Sequence, residues 1–266
     1  MSAQLEDLPV ELLLQIHLQS LSSALPYVSR YLHSVFASSS DFHRAHYLFL
    51  RHDRKTLSHA VKYSICSLDV IHVLEKLAHA RGKKLKCPQL PRRLVKGLSR
   101  TNKAPDHARD QVDLPLITYL LDTYHASPNS KEGYPLARAV FARHLPLIRL
   151  LLEYGADPGL KDGWAVTTAI ANGDEGLVRM LMEKEVEREG VDEGEVVLLR
   201  PKEAGGAAKK RRRESGGGGG KRRKIEDRCR PTQEMLETAV RAKQWGIVDY
   251  LTAKGALPNI NVLKML

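Results

Sequence analysis

The chain has 266 residues, 42% apolar and 6% aromatic, with a formal net charge of +11 at pH 7; this excludes a wholly disordered polypeptide, and the leucine-rich, aromatic-poor balance predicts an all-α protein rather than a β-sandwich. Residues 209–224 alone hold nine Lys/Arg against one Glu, a net +8, so the remaining +3 excludes a basic binding face spread over the fold. Three cysteines, Cys66, Cys87 and Cys229, with no Cys-x-x-Cys pair, exclude a disulfide framework and a zinc ribbon and fit a reducing compartment.

The first residues, Met-Ser-Ala-Gln-Leu-Glu-Asp, are polar and acidic where a signal peptide is basic and then apolar. No apolar run approaches the ~20 residues that span a bilayer, so a soluble intracellular protein with no membrane partner is expected. Pro9 suits a first helical turn, where its missing N–H costs nothing, and Asp7 and Glu11 favour the helix dipole. Leu12 and Ile16, with Leu13 or Leu5, form the apolar stripe of this helix. A second segment adds Val28, Leu32, Val35 and Phe36, with Pro26 confined to a one-turn helix. About forty residues hold too little core to be stable alone, so the cluster must dock on the rest of the chain or on a partner.

Residues 5–40 resemble the F-box: Leu8-Pro9-x-Glu11-Leu12 with Ile16, then Val28-Ser29-Arg30 and an apolar tail over 32–36. The resemblance implies a three-helix cluster over residues 1–45 that binds the Skp-type adaptor of a cullin ubiquitin ligase through Leu8, Pro9, Leu12, Ile16 and Val28. Two features depart from that family: the stretch between Ile16 and Val28 is short, and Pro26 falls where the second helix lies. Without the resemblance, the same leucines read as an amphipathic cap covering the first repeat.

Residues 46–185 carry the repeats. Gly133-Tyr-Pro-Leu-Ala-Arg-Ala-Val, a turn, and then Leu145-Pro-Leu-Ile-Arg-Leu-Leu-Leu-Glu-Tyr-Gly-Ala-Asp157 make one two-helix unit. Pro135 starts its inner helix, Ala139 allows close helix contact and Gly155 supplies a left-handed cap. The unit resembles an ankyrin repeat, with Tyr134 and Ala137 in place of the usual Thr and His. A copy starting at Asp162 restates Ala139 as Ala169 and Leu151 as Leu181, and a third, from Met235, ends the series within 232–266. Two divergent pairs precede them, one ending in the helix and hairpin around 116–128, the other spanning 60–77. Such units cannot bury their apolar faces alone, so an ankyrin-like solenoid is expected, whose business is binding another protein. By that resemblance an unknown target protein sits on the hairpin tips and inner-helix face, through Lys131, Glu132, Arg138, Lys161, Asp162 and Trp164.

Residues 186–231 interrupt the repeats with a glycine-rich, acidic-then-basic composition from which no packed structure is expected. Its clusters Lys209-Lys210-Arg211-Arg212-Arg213 and Lys221-Arg222-Arg223-Lys224 resemble a bipartite nuclear localisation signal. The resemblance implies an importin partner and a nuclear as well as cytoplasmic protein, with nucleic-acid contact as the second reading. Residues 183–195 hold seven acids against Lys184 and Arg188, a tract able to mask the basic one.

No phosphate-cradling loop, His-Glu-x-x-His or Gly-x-Ser-x-Gly motif occurs, so no enzyme and no cofactor are expected. Eleven histidines, among them His33, His43, His46, His52, His59, His72 and His79, lack partners at ligand spacing, and no metal is expected. The reading is a substrate-recognition subunit of a Skp/cullin/F-box ligase; its rival is a nuclear ankyrin scaffold or transcription cofactor.

Overall fold

The computed structural model describes residues 5–52, 56–98, 112–184 and 227–259. These are all-helical, with no strand among them. At the N-terminus, α1 (Val10–Ser20) follows Pro9 and ends at Leu21, which turns left-handed with φ 50°. A single 3-10 turn, Leu25–Tyr27, accommodates Pro26, and α2 (Arg30–Ala37) is capped by Ser29, whose side chain accepts from the Leu32 amide. Leu13, Leu32, Val35 and Phe36 close a small core of their own, with Leu5, Leu8, Leu14 and Leu25 against it.

The inward stripe of α1 differs from the sequence expectation. Leu13 and His17 are its buried residues, whereas Leu12 is 45% exposed and Ile16 half-buried. An imidazole that stacks on rings satisfies the core-facing position that hydropathy assigns to leucine. Val28, expected inside, is 68% exposed.

Helix α3 (Asp41–Arg51) joins this cluster to the large core, to which its Ala45, Tyr47, Leu48 and Phe49 belong. The boundary expected at residue 45 therefore falls inside a helix. A short α4 (Thr56–Ala60) and a longer α5 (Leu68–Ala80) come next, with α5 packed on α3. One turn, α6 (Arg93–Lys96), leads towards α7 (Leu114–Tyr124).

The remaining helices pair: α8 (Ser130–Phe141) with α9 (Leu145–Glu153), α10 (Leu160–Ala171) with α11 (Glu175–Met182), and α12 (Gln233–Arg241) with α13 (Trp245–Ala253). Their first members stack in the order α8, α10, α12. The register repeats atom by atom. Ala139, Ala169 and Ala239 are fully buried, and so are Leu151, Leu181 and Leu251. In every pair the connecting loop is closed by a backbone N–H that donates to the carbonyl of the same alanine: His144 to Ala139, Asp174 to Ala169 and Gln244 to Ala239. Arg143, Gly173 and Lys243, one residue earlier in each loop, all have positive φ. Alanine at that contact is what lets the backbones approach, since a larger side chain would separate the stacked helices.

Two sequence expectations need correction here. The tips of the pairs are not hairpins: Lys131-Glu132-Gly133 and Lys161-Asp162-Gly163 each form a run of three left-handed residues, with φ between 53° and 78°. The interruption is also shorter than 186–231. Asp227 pairs antiparallel with Glu183, Arg228 donates to the Met182 carbonyl and Cys229 is buried, so residues 227–231 belong to the fold.

Candidate protein-binding surfaces

The N-terminal cluster exposes apolar side chains among its polar ones. Among the expected adaptor-binding residues, Pro9, Leu12 and Val28 are exposed, while Leu8 and Ile16 are half-buried. Val10, Tyr27 (82% exposed) and Tyr31 stand with them on the same small cluster. Six large or cyclic apolar side chains therefore face solvent on a unit of fewer than forty residues. The cluster docks on the rest of the chain by its other side, where Leu18 and Leu21 pack against the large core and Tyr47 donates its hydroxyl to the Ser22 carbonyl at 3.2 Å.

At this junction His17 is buried between rings, its centroid 4.0 Å from Tyr47 and 4.3 Å from Phe36, and its Nδ1 lies 3.3 Å from Nε2 of His43. Its Nε2 has no hydrogen-bond partner. Burial, the neighbouring His43 and the Arg51 guanidinium hold the His17 imidazole down at about 4, so it is neutral at pH 7. A cavity of about 270 Å³ opens beside it. Sequence alone marks His43 only as one of many histidines and does not single out His17; the Leu13–His17 spacing is the available signal. No group of three or more His, Cys, Asp or Glu among the described residues is placed to hold a metal. Cys66, Cys87 and Cys229 are free and buried, and burial pushes the Cys66 thiol up to about 12 and that of Cys87 to about 11.

The second surface lies on the turn tips of the stack. Lys131, Glu132, Lys161 and Asp162 are all exposed, held out by their left-handed turns, with Gly133 and Gly163 ending each turn at φ 78° and 75°. Trp164 is 38% exposed; Lys161 Nζ sits 4.6 Å over its ring, and Tyr134 lies 6.3 Å away on the neighbouring pair. Arg92 covers Tyr134 at 5.1 Å. The structure thus brings Lys161 and Trp164 together and adds Tyr134 and Arg92, which sequence alone does not place there. Arg138 points elsewhere, over Phe141, with one guanidinium nitrogen 3.4 Å from the Lys96 carbonyl. The nuclear localisation candidates Lys209 to Arg213 and Lys221 to Lys224 lie outside the described residues. No helix among the described residues is long and apolar enough to cross a membrane.

No family model, no curated protein and no solved structure matches this chain.

Proposed function

We propose that the chain is a two-ended protein adaptor: its N-terminal cluster docks a Skp-type adaptor of a cullin ubiquitin ligase, and its helix pairs form an ankyrin-like solenoid that holds a target protein. The observation that carries the first half is the solvent-facing set Val10, Leu12, Tyr27, Val28 and Tyr31 on a cluster with its own separate core. Burying such side chains contributes about 1.5 to 3 kcal/mol apiece, which is the scale a small docking helix pair needs. Support for the solenoid is the repeated register of buried Ala and Leu and of the loop bonds across α8–α13. The adaptor performs no chemistry in this reading; transfer results from holding the target near a charged conjugating enzyme, which raises effective concentration. The basic clusters over 209–224 direct the chain to the nucleus through an importin.

The test is co-elution of the full chain with a Skp-type adaptor. Leu12→Glu with Val28→Glu places charges at exposed positions and should abolish co-elution without changing helix content. Undiminished co-elution of that double variant, or none by the parent, sinks the ligase reading and leaves the plain nuclear scaffold.

A further inference from the structure

The +3 left after subtracting the basic tract is not evenly spread. Residues 56–98 carry nine Lys/Arg against Asp69 and Glu75, a net +7 that the acids of 183–195 conceal in the total. The fold gathers part of this charge. Lys62 after α4, Arg92 and Arg93 at the start of α6, and Lys131 in the left-handed turn of α8 line one cleft of about 400 Å³, floored in part by Pro88 and Pro91. Lys62, Arg92 and Lys131 are exposed, and none of the four cations forms a salt bridge with a described carboxylate. Arg93 is fixed in place by donating Nε to the Val61 carbonyl and a terminal nitrogen to that of Cys66, each at 2.6 Å. Four cations around one concavity repel one another, with Asp113 the opposite charge near Arg93, and an anionic occupant relieves that repulsion while gaining attractions chiefly to the exposed Lys62, Arg92 and Lys131.

Arg92 also links the cleft to a ridge of aromatic rings, through Tyr134 to Trp164. We infer that the cleft and ridge together take an acidic segment of a partner protein, its carboxylates facing Lys62, Arg92, Arg93 and Lys131 and an apolar side chain lying against Trp164. A peptide fits better than a nucleic acid for two reasons. One face of each ring is already covered by a cation, Arg92 or Lys161, and the two rings lie 6.3 Å apart, so they offer no slot in which a base is sandwiched. The cleft is also sized for a short extended chain and not for a duplex. This inference deepens the proposed function and rests on the helix pairs being its target-binding part.

The experiment uses the full chain with the nine Lys/Arg of 209–224 changed to Gln, so that the tract does not contribute. Fluorescence anisotropy is read with a labelled oligoglutamate carrying one central leucine, against oligoglutamine and oligo-dT. Oligoglutamate should bind with an affinity that falls with salt. Arg92→Glu with Lys131→Glu should weaken it roughly tenfold or more, whereas Arg149→Glu, an exposed cation of α9, should leave it unchanged. Trp164→Ala should weaken the leucine-bearing peptide and not a plain oligoglutamate. Absence of oligoglutamate binding, equal binding by the Arg92/Lys131 variant, or tighter oligo-dT binding lost on the same substitutions would each overturn the proposal. Co-elution with the Skp-type adaptor, measured on the same preparations, should survive these changes. Its failure in the parent counts against the adaptor reading alone.

Discussion

His17 is where the N-terminal cluster and the large core share one side chain. The imidazole is neutral in the fold because protonation would place a charge among Phe36, Tyr47 and His43 with Arg51 nearby. Its folded pKa of about 4 lies below the ordinary 6.5, so between those values the unfolded chain binds the extra proton. Stability is therefore fully present above pH about 6.5 and is lost as the pH falls towards about 4. His43, also depressed by burial and by His46, titrates with the same sign. Thermal melts across that window should show a falling Tm, and His17→Phe, which keeps the ring stack, should reduce the slope. A slope unchanged by the substitution would remove His17 from the account. Hydropathy could not reveal this residue, because it scores histidine as polar and assigns the stripe to Leu12 and Ile16.

Between elements, one carboxylate of α5 bonds two hydroxyls of α7. Glu75 accepts from the hydroxyls of Tyr119 at 2.6 Å and Tyr124 at 2.5 Å, with His72 Nδ1 at 3.5 Å. Burial alone would raise this carboxyl, yet the bonds from Tyr119, Tyr124 and His72 outweigh it and hold the group below its usual range. Glu75→Ala strands two half-buried phenols and should cost about 1.5 to 3 kcal/mol in a urea titration, while Glu75→Gln, which keeps an acceptor oxygen, should cost less. No loss in Glu75→Ala would show that the bonds contribute nothing to stability. This network joins residues 44 or more apart in sequence, and no periodicity announces it. The pairs from α8 to α13 were legible because Ala139/Ala169 and Leu151/Leu181 recur at one offset, each fixed by close packing. The turn tips were not, because three consecutive left-handed residues, two of them Lys and Glu or Lys and Asp, carry no propensity signal beyond the final glycine.

For the whole molecule, the interruption and the charge distribution matter most. Glu183 and Asp227, which flank the interruption in sequence, pair with each other, and Lys254 bridges both at 3.2 and 2.6 Å. Replacing residues 185–226 by a short glycine-rich turn should therefore preserve the helical signal. Shortening the closed loop should raise stability by about 1 to 2 kcal/mol. Nuclear import should disappear with the basic clusters; a lowered Tm would show instead that the replaced segment packs on the stack. The basic cleft does not show in the net charge, which averages a face of the fold against the acidic tract.

In the proposed function the N-terminal cluster is completed by a second polypeptide. Amide hydrogen exchange of the full chain, with and without a Skp-type adaptor, measures this directly. Slowed exchange is expected over residues 5–20 and 25–37, with α8–α13 unchanged. Protection confined to the helix pairs, or no protection anywhere, would contradict it.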